Sequence, residues 1–225
     1  MIQLDTLAKF DTPTICNALE LIDSSRKNHG YTIRPFHCTN KTYQPVIGIA
    51  KTATMRSLMP SSKSTETLKK ERVEYYKYID SGDYPKICLM QDIDGEDSGR
   101  GPFWGEFNTR IHQSLGVKSI ITNGTVRDVQ NLPENILILS KGLCPSHANV
   151  HVVDYDVQVN VNGLVVSPGD VIHADPHGAV SFPPNWIPEI EKKAIEFIES
   201  EKPILDGCKR EGLSIEDIIK LYMER

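Results

Sequence analysis

The sequence predicts an α/β fold with a mixed sheet and a β-rich C-terminal half, and three observations carry that reading. Residues 86–122 run strand, helix, strand, a crossover that joins a parallel pair. After residue 150 come five short β-type runs separated by Asn162-Gly163, Pro168-Gly169 and His177-Gly178, the spacing of antiparallel hairpins and meanders. The 225 residues, 39% hydrophobic and 24% charged, form an ordinary globular composition, long enough for one large core and short for two. A single domain over residues 1–225 is therefore expected, and disorder, collagen and a disulfide mini-scaffold are excluded.

The elements follow in order. Asp11 to Ile22 reads as a helix with Thr12 as N-cap and Pro13 at the first helical position; Ile15, Ala18, Leu19 and Ile22 lie on one stripe. Gly30 and Pro35 break the chain before Val46–Met55, a strand whose Gly48 marks a bulge or close backbone approach. Thr65–Asp80 is a polar, Tyr-rich helix with a solvated face and no assigned function. Lys86–Asp92 is a strand, followed by a glycine-rich loop from Asp94 to Gly101 and a helix from Phe103 to Leu115 that Gly116 stops. Val117–Thr122 is the second strand of the crossover. Val150–Val153, Val157–Val161, Leu164–Val166, Val171–Ala174 and Ala179–Phe182 are the β runs. Helices from Pro188 to Glu201 and from Ser214 to Met223 close the chain, the second opened by Ser214 and Asp217 in a near-capping box.

Charge and cysteine usage narrow the function classes. The net charge of -5 comes with no Lys/Arg block to neutralise a run of phosphates, so no nucleic-acid partner is expected. No stretch approaches the ~20 apolar residues of a membrane span, and Met1–Phe10 lacks the basic and apolar regions of a leader, so no membrane partner and a cytoplasmic location are expected. Cys16, Cys38, Cys88, Cys144 and Cys208 form no C-x-x-C pair and read as reduced thiols.

In α/β sheets ligands collect beyond the carboxyl ends of parallel strands, where helix N-termini offer unpaired N–H groups. Two loops meet that description here. One leads through Gly95, Gly99 and Gly101 to Trp104-Gly105-Glu106-Phe107; the other carries Arg127-Asp128. Crossover geometry puts both on one sheet edge, so Glu106 and Asp128 can approach although 22 positions apart. Two carboxylates suit a hard divalent ion such as Mg²⁺. Arg127 would supply a fixed fork for a carboxylate or an enolate oxygen. Taken alone, an Arg-Asp dipeptide is more often a surface pair, and a glycine-rich loop more often a turn. The loop lacks the glycine order of a nucleotide-binding motif. His147 and His151 stand too far apart along the chain to chelate and are candidate substrate contacts, whereas Asp175 and His177 are explained by turn chemistry.

Trp104-Gly105-Glu106-Phe107, then Gly116-Val117, then Thr122-Asn123-Gly124-Thr125-Val126-Arg127-Asp128 resembles the class II 4-hydroxy-4-methyl-2-oxoglutarate aldolases and the homologous RraA-like regulators of ribonuclease activity. Thr12-Pro13-Thr14, Asn17-Ala18-Leu19, Gly48, Ala53-Thr54, Ser167-Pro168-Gly169-Asp170 and Ala174-Asp175 through Val180 extend the match over residues 10–185. The resemblance implies a swivelling α/β/β fold, a homotrimer or hexamer with sites between subunits, and a Mg²⁺- or Mn²⁺-dependent lyase. Such an enzyme releases pyruvate from a 4-hydroxy-2-oxo acid or decarboxylates oxaloacetate. It further implies Asp128 as direct metal ligand and Glu106 as ligand through water. Arg127 would face the keto or enolate oxygen, and backbone N–H groups of Gly105, Glu106 and Phe107 would hold the substrate carboxylate. An acid from a neighbouring subunit's C-terminal helices (residues 188–225) completes the family site, here Glu201, with Glu199 as the nearby alternative.

The sequence departs from the family pattern at Asn123, where Asp is common, and at Asn131, where an acid is common. Leu132-Pro133-Glu134-Asn135-Ile136 replaces a Gly-Phe-Pro continuation, residues 145–151 replace an Arg- or Lys-bearing loop, and the Tyr-rich helix is extra. His147 or His151 is the expected replacement for the cationic contact. A non-catalytic regulator binding a ribonuclease or helicase is the alternative reading.

Overall fold

The computed structural model describes residues 4–39 and 44–223. Residues 1–3 of the segment read for a leader, and residues 224–225 of the C-terminal stretch, lie outside the described residues. The strands are β1 (His37–Cys38), β2 (Val46–Arg56), β3 (Lys86–Asp92), β4 (Val117–Thr122), β5 (Thr125–Val126), β6 (Leu137–Ser140), β7 (Gly142–Leu143), β8 (His151–Tyr155), β9 (Val159–Val161), β10 (Leu164–Val166), β11 (Val171–Asp175) and β12 (Gly178–Phe182). The helices are α1 (Thr12–Ile22), α2 (Thr65–Asp80), α3 (Glu106–Ser114), α4 (Ile187–Gly207) and α5 (Ile215–Met223).

Among the described residues, eight strands form one mixed sheet in the order β1-β6-β4-β3-β2-β11-β12, with β8 also on β2. The strands β2, β3, β4 and β6 are parallel to their neighbours in that series; β1, β8, β11 and β12 pair antiparallel. Strand β2 is long because it serves two partners on one side, β11 along Val46–Ile49 and β8 along Ala53–Arg56. Alternation sorts the sheet's side chains: Ile87, Leu89, Ile121 and Leu139 pack against the β9–β10 ribbon, whereas Cys88, Met90, Ile120 and Ile138 pack toward α2 and the Phe103-Trp104 corner. Helices α1 and α4 cover Ile47, Ile49, Val171, Val180 and Phe182. Lys86 is buried at the start of β3 because its Nζ donates to Asp80 O (2.6 Å) and Leu115 O (2.8 Å), satisfying the C-terminal carbonyls of α2 and α3 together. No helix among the described residues is long and apolar enough to cross a membrane.

Several expected boundaries move, each for a local reason. The N-cap of α1 is Asp11, not Thr12: Asp11 Oδ1 accepts from Thr14 N at 2.9 Å, while Thr12 is the first helical residue and its N donates to the buried Asp175 Oδ2 at 2.8 Å. The helix expected from Phe103 begins at Glu106, because Trp104 is held extended in a parallel bridge to Val126. Helix α4 runs on to Gly207 with Pro203 inside it, its last turn closed by Cys208 N to Ile204 O at 2.9 Å. Strand β6 falls in a segment to which the sequence reading assigns no element. The C-terminal β runs pair antiparallel as expected, β9–β10 as a hairpin in a sheet of its own, β11–β12 as a hairpin in the main sheet and β8 on β2, while the run expected from Val157 starts at Val159. Asn162 and Gly163, at φ of 51° and 93°, make the two-residue turn of the first hairpin.

Candidate functional site

The site is built where the loop after β3 meets the loop after β4. Arg127 N donates to Trp104 O at 3.0 Å, which lays Gly105 beside the Arg127-Asp128 side chains. The anchor is the Trp104 indole, fully buried with ring centroids 4.9 Å from Phe103 and 4.7 Å from His112. Gly105 is extended (φ -155°), so space rather than backbone freedom demands a glycine there. A Cβ would stand 2.7 Å from Asp128 Oδ2 and 3.0 Å from Arg127 Cγ. Helix α3 starts at the next residue, and Asp128 supplies the acceptor that the glycine N-cap lacks: Glu106 N reaches Asp128 Oδ2 at 3.4 Å. Asp128 itself is left-handed at φ 56°, a region that Asp tolerates better than most residues.

Arg127 is pinned from two sides. Its Nε stands 3.3 Å from Asp128 Oδ2, and its Nη1 donates to His147 Nδ1 at 3.1 Å. A guanidinium has no acceptor, so His147 Nδ1 must accept and the ring proton sits on Nε2. The loop carrying His147 comes this close because Gly101 presents bare backbone to the His147 carbonyl. Both contacts of the Asp128 carboxylate fall on Oδ2, which leaves Oδ1 open in a side chain 39% exposed.

Glu106 approaches Asp128 through its backbone amide, while its carboxylate turns along α3 to Arg110, with Arg110 Nε to Glu106 Oε1 at 3.0 Å. Arg110 also donates to Asn131 O at 3.1 Å. Both side chains of this pair are about half exposed, at 56% and 41%, so the pair holds Glu106 only weakly. Phe107 follows in the first turn of α3 with its side chain 73% exposed. His151 begins β8 and bonds its own loop, Nδ1 to Asn149 O at 2.8 Å, so of the two histidines His147 is the one on Arg127. Glu199 and Glu201 lie on α4, exposed and half-buried respectively, and α4 packs on α1 beyond the β11–β12 side of the sheet. The fold of one chain does not bring them to Asp128. Asp175 is occupied elsewhere, accepting from Thr12 N and from His177 N.

One participant, Arg110, escaped the sequence reading, and another, Asn123, was noted there only as a departure from the family pattern. Arg110 was signalled only by its i,i+4 spacing from Glu106. Asn123 clamps the carboxyl ends of β3 and β4: Asp92 N donates to its Oδ1 at 2.7 Å and its Nδ2 donates to Asp92 O at 2.8 Å. A carboxylate could not make the second bond, which gives the amide at this position a structural reason. Asp92 is buried, which pushes its carboxyl pKa up, against the opposing bonds from the Gly99 and Asp94 amides.

Among the described residues no three His, Cys, Asp or Glu side chains gather as a metal cluster. The open Oδ1 of Asp128 nevertheless suits a hard cation that takes one or two carboxylates and keeps several waters. The residues present thus fit Mg²⁺ or Mn²⁺ better than a zinc ion, which needs a closer N/S set.

A family model described as RraA-like, Aldolase/RraA, matches residues 12–181. The uncharacterized protein MJ0644 of Methanocaldococcus jannaschii is 27% identical over 135 residues, 59% of this chain and 64% of that protein. The chain thus spans just under two thirds of that relative's length. A crystal structure of an uncharacterized protein from Pseudomonas syringae pv. tomato matches with a TM-score of 0.73 at 19% identity, over 99% of this chain and 93% of the other. That of Streptomyces coelicolor RraAS2, described as an unusual member of the RNase ES inhibitor RraA protein family, matches with a TM-score of 0.68 at 23% identity, over 88% and 93%. The two structures speak for the fold, the curled mixed sheet with its α/β crossover, and the family match spans most of the sequence: the chain belongs to the RraA-like family.

Proposed function

We propose that the chain is a divalent-metal-dependent carbon–carbon lyase that passes through a pyruvate enolate, by retro-aldol cleavage of a 4-hydroxy-2-oxo acid, decarboxylation of oxaloacetate, or both. The observation that carries this reading is the packing of Gly105 against Asp128 and Arg127, which sets an open carboxylate oxygen, a guanidinium and a helix N-terminus around one point. Asp128 Oδ1 would hold Mg²⁺ or Mn²⁺, with Glu106 bonding it through water. When bound, the metal would act as a Lewis acid on the 2-keto and carboxylate oxygens of the substrate.

The chain's own groups account for the rest. The N–H groups of Gly105 and Phe107 at the start of α3 lack intrahelical acceptors and take the substrate carboxylate, joined by Glu106 N, whose bond to Asp128 Oδ2 is long at 3.4 Å and yields to the incoming anion. Arg127 keeps Nη2 unspent after its bonds to Asp128 and His147, and directs it at the keto oxygen, where negative charge develops as the bond between C3 and C4 breaks. Glu106, released from its weak pair with Arg110, takes the C4 hydroxyl proton through a water and returns it to C3 of the enolate. In oxaloacetate carbon dioxide leaves instead, no hydroxyl proton is taken, and the water beside Glu106 delivers a solvent proton to C3 of the enolate. His147 Nε2–H supplies a donor to the substrate's far end, in place of the family's cationic loop.

The site is completed between subunits of a homotrimer or hexamer, with Glu201 or Glu199 of a neighbouring chain as the remaining acid. Exposed Ile195, Ile198, Leu205, Ile215, Ile219 and Tyr222 on α4 and α5 support burial of that face by another copy.

Purified protein is expected to release pyruvate from at least one 4-hydroxy-2-oxo acid or from oxaloacetate with Mg²⁺ or Mn²⁺, and to stop on addition of EDTA. Silence across that panel sinks the proposal. Gly105→Ala is expected to cost about 100-fold in kcat/KM, because its Cβ displaces the Asp128 carboxylate, while the thermal midpoint moves little. Kinetics and a circular-dichroism melt of the same preparation separate the two effects. The second reading, a regulator of RNA processing, draws on the RNase-inhibitor description of the Streptomyces relative and on Phe107 and Leu143, 73% and 56% exposed. Capture of a ribonuclease or helicase by a chain inactive on the whole panel would favour it.

A further inference from the structure

The carboxyl edge of the sheet carries a second concavity, on the other side of the loop after β3. It is a cleft of about 670 Å³ between that loop, the tip of the β9–β10 hairpin and the Ile33–Pro35 segment. That volume falls within the range of small-molecule sites, and the carboxyl ends of β3 and β4 form its floor.

The lining is rich in primary amides whose acceptor ends are already used. Gln91 Oε1 accepts from Asn160 N at 2.8 Å, and Asn160 Oδ1 accepts from Gly163 N at 3.0 Å, so each leaves its NH2 group to the cleft. Asn162, held at the turn by its positive φ, makes no side-chain hydrogen bond among the described residues. The Asn123 amide and the Asp92 carboxylate also line the cleft, but both are satisfied by backbone. Two cations stand at the mouth. Lys141 Nζ is partly spent on Ser98 O at 2.6 Å, whereas the exposed Arg34 guanidinium has neither an ion pair nor a hydrogen bond among the described residues. Glu96 also lines the cleft, exposed and without an ion pair among the described residues, an acceptor for hydroxyl groups.

Open donors thus outnumber open acceptors, and the one unengaged cation sits at an end. We propose that this cleft binds a small polyhydroxylated anion, a sugar acid or a sugar phosphate, with Arg34 on the anionic group and the amides of Gln91, Asn160 and Asn162 on the hydroxyls. The site stands independently of the lyase reading, because Arg127 and Asp128 do not line it.

The test is isothermal titration of the full chain, in EDTA, with D-gluconate and with D-glucose 6-phosphate, the two probes distinguishing a carboxylate from a phosphate source. Neutral D-glucose and inorganic phosphate are the controls. At least one of the two sugar anions is expected to bind, with glucose and phosphate each weaker by about tenfold, a difference readily resolved as a shift in Kd. Arg34→Ala changes an exposed side chain, and Asn160→Asp keeps the acceptor for Gly163 N while replacing the donor by a negative charge. Each is expected to weaken binding about tenfold. Arg127→Ala, which disables the candidate lyase site, is expected to leave it unchanged. Failure of both sugar anions to bind overturns the proposal. So does binding of glucose or phosphate alone as tight as that of the sugar anions, or binding lost in Arg127→Ala and retained in Arg34→Ala.

Discussion

Asp128→Ala is expected to abolish metal-dependent pyruvate release, a loss of about 1,000-fold or more in kcat/KM, since it removes the oxygen that would hold the metal and with it several kcal/mol of transition-state stabilisation. The fold should survive. Asp128 is partly exposed, and its two contacts, to Glu106 N at 3.4 Å and Arg127 Nε at 3.3 Å, are long. The backbone complicates the alanine variant, because φ 56° is less comfortable for Ala than for Asp, a cost of about 1 kcal/mol that would appear in the melt. Asp128→Asn is therefore the cleaner companion. It keeps a side chain that tolerates the left-handed region and an acceptor for Glu106 N, and changes the charge alone. Both variants should be inactive in a coupled pyruvate assay, with the Asn form melting close to the parent. Undiminished turnover in either would remove Asp128 from the metal role and take the lyase reading with it.

How much of this was legible follows from the range of each interaction. The crossover over residues 86–122 is written in local signals, an apolar run, a glycine stop and a second apolar run, and it stands as expected up to the first turn of its helix. That turn failed because the residue deciding it, Val126, lies 22 positions away in sequence from its bridge partner Trp104. Leu137–Ser140 drew no assignment for a different reason: four buried residues without alternation look like any short apolar stretch, and pairing with the neighbouring β4 makes them a strand. The Arg127-Asp128 pair and Gly105 were visible as a motif, but the reason for the glycine, a carboxylate 2.7 Å from where its Cβ would be, is not a property of sequence. Nor is the bond from Arg127 to His147, which depends on two loops meeting across Gly101. Asn123 shows the converse. A departure from the family's usual residue looked like a loss at the site, and the structure gives the amide a use that an acid could not fill.

Acid is expected to destabilise the protein by about 3 kcal/mol between pH 6.5 and pH 4 through His112 alone. The ring is fully buried, its Nδ1–H donating to Asn108 O at 2.7 Å and its Nε2 accepting from Tyr75 Oη at 2.8 Å. Burial, with the nearby Arg72 charge adding to it, pushes its pKa from 6.5 down to about 4. The unfolded chain takes up a proton below pH 6.5 and the native chain refuses it until about pH 4, so stability is full above the first value and falls through the window between them. His173, also buried, is shifted downward as well and adds in the same direction. Urea melts at pH 7, 5.5 and 4.5 would show the decline. His112→Phe should flatten it while lowering stability at pH 7 by about 1–3 kcal/mol, because it leaves the buried Tyr75 hydroxyl only the weak sulfur acceptor of Cys88 at 3.6 Å. An unchanged slope in that variant would assign the acid sensitivity elsewhere. The consequence reaches the site, since His112 packs against Trp104, and Trp104 holds Arg127 through its carbonyl and Gly105 through the chain. Mild acid should therefore reduce near-ultraviolet tryptophan dichroism and pyruvate release together, ahead of the loss of far-ultraviolet signal. Helix α2, which the sequence reading takes as an addition to the family pattern, supplies Tyr75 and completes the buried cluster on which the candidate site rests.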